Sequence, residues 1–487
     1  LNTRVAADSL HAYVVFPADV LETGRVLYRA RTMLGPVAFR EVQAAASHAI
    51  QAERLRRAGL EVQEVAALLR EARIEQTRIT ASGEEGGAAG AALAGKVAGA
   101  NEATIPEELP DWSRYLGPGV DDEPYGKPSK YEAHVVRRNV EWLTASTESS
   151  INFTPLPWLN GIITPNGVFF ERHHGGRAEI DPSAHRLLVH GLVEKPLVYT
   201  MEDLKRLPCE DRIWFLECAA NGGMEWRGAQ LDGCQYVRGM IGCAQWTGVR
   251  LKTLLERSGL KPNAKWVLAE GADASALTRS FPIEKALDDA FVAYAQNGEA
   301  LRPGQGYPVR LILPGWEANM SVKWLRRIEV GDAPWYTRWE TSKYTDLLPS
   351  GKAYKFTWVQ EANSVITWPA PEHKIDGPGQ YMIRGLAWSG RGRIVRVDLT
   401  FDGGKNWVTA PLQEPILPKA LTRFYYPWRW DGSTVIIASR AIDETGYVQP
   451  TITQLRNARG RNSIYHNNAI ITWLVNASGE VENVQVA

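Results

Sequence analysis

The sequence predicts an α+β chain with two main domains, a mixed domain followed by an all-β immunoglobulin-like sandwich. Three observations carry this. Between residues 151 and 345, apolar strand-like runs alternate with short helical patterns. Between 346 and 487 the runs are short, alternate in polarity and are separated by turn residues, the pattern of a sandwich. The 18 tryptophans lie nearly all after residue 140, where aromatic-rich strands are expected.

Residues 1–100 stand apart as a helical and low-complexity region. Segment 38–78 is rich in Ala, Glu, Arg, Gln and Leu and reads as helix, with Val62, Val65, Ala66 and Leu69 sharing one apolar face. Residues 86–95 are a Gly/Ala tract. Arg56-Arg57 is a twin arginine, but no apolar signal core follows it. Residues 101–150, with five prolines between Pro106 and Pro128, read as an extended arm.

In the mixed domain, residues 186–193 read as a strand and Thr200 as the N-cap of a short helix with Asp203 at its third position. The run 212–217 reads as a strand leading into Cys218. Residues 247–251 lead into a helix at Leu254-Leu255, and 309–314 form an apolar strand ending at a Pro-Gly turn. In the sandwich, 394–401 alternates faces, 402–406 has hairpin chemistry and Trp407-Val408 begins the return strand. Further strands are expected at 381–386, 434–438 and 470–475.

The 487 residues carry a net charge of +0, and 44% are hydrophobic. A nucleic-acid partner would require concentrated basic surface, which this balance does not suggest. No run reaches the roughly 18 apolar residues of a membrane span.

Cys209, Cys218, Cys234 and Cys243 form no CxxC pair, and no CxxCH haem-attachment motif is present. Disulfides are one reading of these cysteines. Cys218 differs from the others because a strand delivers it into a small-residue, Gly-rich loop. It is either a buried structural cysteine or a soft thiolate donor for a transition metal. Polar clusters flank it in sequence. Residues 169–176, FFERHHGG, put Arg172 beside His173 and His174, and arginine grips oxyanions bidentately. Gly304-Gln305-Gly306 leads to Arg310, a combination that can bind phosphate, and Lys323 lies in a basic cluster. Tyr344 carries a hydroxyl that can donate to a substrate oxygen.

Taken in order, FFERHHGG (169–176), FLECAANGGMEW (215–226), GCAQWTGVRL (242–251), the run 306–330 and SRAIDETGYVQP (439–450) resemble the sulfite oxidase family of molybdenum enzymes. The resemblance spans roughly residues 105–487. It implies a molybdopterin domain at 151–345 and a dimerisation domain at 346–487. The implied cofactor is molybdenum-molybdopterin, with one pterin dithiolene and Cys218 as the protein ligand to the metal. Implied pterin contacts are Phe170, Arg172, His174, Asp273, Gln305, Arg310, Ser321, Val322 and Lys323, with Gln305 standing where the family often has His. Implied catalytic residues are Arg172, His174, Tyr344 and Arg423, the last supplied by the second domain.

Within the family, the first two motifs are most similar to the molybdenum subunits of sulfane dehydrogenases in thiosulfate oxidation. That implies a sulfur-carrier protein as substrate, a separate c-type cytochrome as electron acceptor with no haem in this chain, a homodimer within a larger assembly, and a periplasmic location. A cytochrome-linked sulfite dehydrogenase acting on free sulfite is the alternative. Animal sulfite oxidases have an arginine five residues after the ligand cysteine, where this chain has Gly223. Glycine removes the charge and is expected to open volume for a larger substrate.

Overall fold

The computed structural model describes residues 12–20, 25–30, 46, 73–79, 85–86, 128–139 and 150–486. The chain divides into two units, 1–124 and 125–487. In the first, Ala12–Val15, Arg25–Ala30, Arg73–Ile79 and Glu85–Gly86 form a four-stranded sheet in that order. This corrects part of the helix expected over 38–78. Residues 73–78 are strand, paired parallel with 25–30. Ile74, Thr77 and Ile79 are β-branched, and strand pairing outweighs a weak helical period. Val62, Val65, Ala66 and Leu69 lie outside the described residues, as does nearly all of the Gly/Ala tract. Of the expected arm, Arg138–Asn139 pairs with Asn152–Phe153.

The second unit begins with a mixed domain built on two five-stranded sheets. One runs Thr278–Pro282, Trp266–Gly271, Leu325–Gly331, Leu187–Gly191, Leu197–Tyr199, with one parallel pair between 325–331 and 187–191. The other places Glu210–Glu217 at its edge against Ile241–Arg250, followed by Phe291–Gln296. Three short helices, Met201–Lys205, Leu251–Ser258 and Ile283–Asp288, contribute Leu204, Leu254, Leu255 and Ala286 to one apolar core. Thr200 caps the first through the expected box: Asp203 N donates to Thr200 Oγ1 at 3.1 Å and Thr200 N to Asp203 Oδ2 at 2.9 Å.

The C-terminal domain is two packed antiparallel sheets. Asn363–Trp368, Gly379–Trp388, Thr422–Trp430 and Leu412–Gln413 form one. Val408–Ala410, Ile394–Thr400, Val435–Asp443, Thr472–Val475 and Val481–Val484 form the other. Ile383, Trp388 and Phe424 from the first sheet share a core with Val397, Ile437 and Trp473 from the second. The hairpin after Thr400 closes as its residues dictate. Asp402 Oδ1 accepts from the amides of Lys405 and Asn406, both at 2.9 Å. Gly403 and Gly404 supply positive φ.

The two domains share one interior. Phe215, Cys234, Ile241 and Cys243 of the mixed domain belong to the sandwich core. Cys234 and Cys243 are buried, Cys209 is exposed, and all four cysteines are free, so the disulfide reading does not hold. A polar bond fixes the joint beside the cysteine strand, where Trp388 Nε1 donates to Glu217 Oε2 at 2.8 Å and both residues are buried. Removing one partner of a buried hydrogen bond costs about 1–3 kcal/mol. Trp388→Phe should therefore destabilise the chain by about that amount in urea unfolding, with the sandwich and the cysteine strand losing structure together.

Candidate active site

Cys218 is placed by the way its strand ends. The ladder continues one step past Glu210–Glu217, where Cys218 N donates to Met240 O at 2.9 Å. The chain then leaves the sheet in a turn closed by Asn221 N to Cys218 O at 2.9 Å. Asn221 locks it: Nδ2 donates to Glu217 Oε1 at 2.9 Å and Arg238 O at 3.0 Å, and Oδ1 accepts from Met240 N at 3.1 Å. Gly222 follows at φ 69°, and a Cβ there would collide with the Arg238 guanidinium. The AANGG loop is thus specified by one clamp residue and by glycine where backbone and guanidinium meet. Burial raises the Cys218 thiol pKa, and the nearby Arg172 opposes this rise.

Cys218 lies between two cavities. The inner one is lined by Phe170, Gln305, Arg310, Ser321 and Lys323 among others. The outer one is a cleft lined by Gly175, Arg338, Trp339, Lys343, Ile464 and Tyr465 among others. Arg172, His174, Cys218 and Tyr344 line both and so form the partition.

The partition is a hydrogen-bonded relay. Arg172 Nη2 lies 3.2 Å from His174 Nδ1, and His174 Nε2 lies 2.7 Å from Tyr344 Oη. Arginine only donates, so Nδ1 accepts and the neutral ring carries its proton on Nε2, donating to Tyr344. The tyrosine proton is left free for another acceptor. Burial, followed by Arg172 and Lys323, holds His174 down to about 3 and keeps it neutral. Burial also raises the Tyr344 pKa, keeping its proton on. Tyr344 sits at φ 54° between the Tyr465 ring, 5.2 Å away, and the Arg279 guanidinium, 5.1 Å away.

The inner cavity is cationic. Arg310 is buried, donates to Gln305 O at 3.0 Å and Ser321 O at 2.9 Å, and has no carboxylate among its hydrogen-bond partners. Among the described residues nothing accepts from its Nε. Burial alone lowers its pKa to about 9. Lys323 Nζ lies 3.0 Å from Arg172 O, 3.0 Å from Gly304 O and 2.9 Å from His173 Nδ1. The carboxylate of Glu171 is already engaged by Arg137, His173 and Arg177. A guanidinium and an ammonium converge on one cavity with a buried donor left over, and that demands an anion. The residues fit a phosphate-bearing cofactor. Among the described residues no three His, Cys, Asp or Glu side chains are grouped to hold a metal. A metal at Cys218 therefore takes its remaining ligands from elsewhere.

The other expected site residues divide. Gln305 lines the inner cavity, donates from Nε2 to Phe170 O at 2.9 Å and accepts from Arg310 at 3.2 Å, so it works through its amide at the place where the family often has His. Ser321 lines it too, with its hydroxyl accepting from Leu313 N at 2.9 Å. The Val322 side chain lies in the apolar core, its carbonyl accepts from Leu311 N at 2.8 Å, and the residue lines neither cavity. Asp273 lines neither cavity. It accepts from Ser275 Oγ and from Leu277 N, shaping the turn that brings Ala274, Ser275 and Leu277 to the cavity walls.

Arg423 is a correction. It sits on Thr422–Trp430 opposite Leu386 and lines neither cavity at Cys218. The second domain contributes Ile464 and Tyr465 instead. The cations of the outer cleft beyond Arg172 are Arg338 and Lys343, which sequence reasoning missed. They lie around a four-residue helix that no periodicity marks. Gly223 also departs from expectation. A Cβ there would lie 2.6 Å from Ile464 O, so the space is filled by the second domain's chain.

Two family profiles match this architecture. "Oxidoreductase molybdopterin binding domain" covers residues 174–339, and "Mo-co oxidoreductase dimerisation domain" covers 354–473. The fold and site thus define a molybdopterin oxidoreductase joined to a dimerisation domain. Chicken sulfite oxidase is 31% identical over 324 residues, covering 61% of this chain and 70% of that protein. Rat mitochondrial sulfite oxidase is 31% identical over 349 residues, 65% of this chain and 63% of that one. The NADH nitrate reductase of Ulva prolifera is 30% identical over 347 residues, covering 63% of this chain and 40% of that protein. The crystal structure of the sulfane dehydrogenase SoxCD from Paracoccus pantotrophus is 57% identical, with a TM-score of 0.76, over 78% of this chain and 98% of that one. This chain belongs to the sulfite oxidase family of molybdenum enzymes.

The histidines give a pH signature. His173 is held down to about 4, by burial first and by Lys323 second, and His174 to about 3. Below the ordinary histidine value of 6.5 the unfolded chain takes up protons that the folded chain refuses. Stability contributed by these rings is therefore complete above that value and falls as pH drops towards 4. Urea unfolding should show the midpoint falling between pH 7 and pH 5, and His174→Gln should flatten that slope.

Proposed function

We propose that this chain is the molybdenum subunit of a periplasmic sulfane dehydrogenase, oxidising sulfane sulfur presented on a carrier protein. The likeness to SoxCD over 98% of that chain is the observation that carries the reading. The outer cleft supports it, since it opens from Cys218 to the surface with room beside Ile464 for a polypeptide tail.

Cys218 supplies the protein thiolate to the metal, and the inner cavity holds the pterin. Phe170, Gln305 and Ser321 line it, Arg310 and Lys323 take the phosphate, Val322 supports them from the core beneath, and the turn at Asp273 brings Leu277 to its wall. When bound, the molybdenum cofactor accepts two electrons and mediates oxygen-atom transfer to sulfur.

The chain's own residues then do three things. Arg172 orients an anionic sulfur group from the outer side and balances its charge. His174, neutral, accepts from Arg172 and donates to Tyr344, which fixes both partners. Tyr344 directs its remaining proton towards the substrate as a hydrogen-bond donor. Electrons pass to a separate c-type cytochrome subunit, with no haem in this chain, and the C-terminal domain pairs two copies.

A second reading is a cytochrome-linked dehydrogenase of free sulfite. Arg172, Arg338 and Lys343 favour it, because among the described residues the outer cleft carries no carboxylate to oppose a small oxyanion. Steady-state turnover of the molybdenum-loaded full chain with a c-type cytochrome acceptor separates the two. The sulfane reading expects kcat/KM for a sulfane-loaded carrier to exceed that for sulfite at least tenfold, equivalent to about 1.4 kcal/mol. Faster turnover of free sulfite would overturn it.

A further inference from the structure

We infer that Ile464, supplied by the second domain, is the residue that selects among sulfur substrates at this site. The inference deepens the sulfane reading and rests on it for the identity of the favoured substrate.

Its position is fixed by the cysteine loop itself. Gly223 lies five residues beyond Cys218, and a Cβ there would stand 2.6 Å from Ile464 O and 3.6 Å from Ile464 Cγ2. The missing side chain lets residue 464 rest directly on the loop. The segment is held on both sides. His466 N donates to Ala219 O at 2.8 Å, the residue next to Cys218. Tyr465 packs on Tyr344 at 5.2 Å, and Ser463 Oγ donates to Asp346 Oδ1 at 2.6 Å. Two anchors on the mixed domain, Ala219 and Tyr344, and a third at Asp346 just beyond it make Ile464 a wall rather than a loose loop.

The wall has unusual chemistry for its place. Ile464 is 50% exposed, in a cleft it shares with Arg172 and Cys218. It also lines a second cavity with Phe153, Met224, Tyr236 and Met240. It is thus the ridge between a cationic cleft and an apolar groove. Arg338 and Lys343 charge one part of the cleft, and Ile464 keeps the part nearest Gly223 uncharged. A free dianion gains nothing from that wall, because an alkyl surface cannot replace the water the anion sheds. A sulfane sulfur on a neutral tail gains apolar contact there while Arg172 holds its reacting end.

Replacing the ridge with a cation should reverse the preference. The test measures kcat/KM for sulfite and for a persulfide on a neutral peptide tail, using the molybdenum-loaded full chain. Ile464→Arg should raise the sulfite-to-persulfide ratio about tenfold, as expected for a new charge a few ångströms from an anion at a partly exposed site. Sulfate binding to the loaded protein, followed by calorimetry, should tighten in parallel. Ile464→Val should leave the ratio within about twofold, since it preserves an apolar wall. A ratio that moves less than twofold in Ile464→Arg at wild-type molybdenum content overturns the inference. If that variant does not retain molybdenum, Ile464→Asn reads the same ratio, with a rise expected and no change contradicting it. The wild-type ratio alone decides whether sulfane or sulfite is the substrate, so failure of that reading is distinguishable from failure of the ridge.

Discussion

The site depends on one short piece of chain being held where a strand stops. Cys218 is one step beyond the end of its strand, and only the four-residue turn 219–222 separates it from the short 3-10 helix Gly223–Arg227. Asn221 clamps it from within, Trp388 grips Glu217 from the sandwich, and His466 donates to Ala219 from the C-terminal segment. Two of these three constraints come from the second domain. The thiol is therefore positioned by the joint between domains, and the shared core of Phe215, Cys243, Trp388 and Trp473 makes that joint rigid. This gives the C-terminal domain a direct part in building the active site.

The electrostatics follow from the same packing. Buried cations on the inner side lack carboxylates because the nearest one, Glu171, is saturated by Arg137, His173 and Arg177. The unmet charge of Arg310 is what makes the cavity an anion site. On the outer side, neutral His174 connects Arg172 to Tyr344 with its proton direction fixed by a donor-only neighbour. The relay has one arrangement, and that arrangement leaves one donor free at the partition between the two cavities.

Much of this was legible in the residues. The hairpin at 402–406, the capping box at Thr200 and the strand running to Cys218 have local causes that sequence displays. The conjunction of Cys218, Arg172, His174, Arg310, Lys323 and Tyr344 came from motif order, and the structure gathers all six around one pair of cavities. Long-range placement was not legible. Arg423 lies on a strand with the right polarity but lines neither cavity at Cys218, because alternation along a strand cannot say which edge meets another domain. Gly223 was read as open space, whereas Ile464 from 241 residues further on occupies it. The turn-forming role of Asp273, which accepts from Ser275 Oγ and Leu277 N, has no signal in the sequence. The helix expected to 78 gave way to a strand at 73 because pairing with 25–30 is non-local.

X-ray absorption at the molybdenum edge tests the central claim most directly, since it counts the sulfur atoms around the metal. The account predicts that the loaded wild-type chain shows two sulfurs from the pterin and one from Cys218, and that Cys218→Ala shows one fewer. An unchanged sulfur count in the variant, at equal molybdenum content, would contradict it.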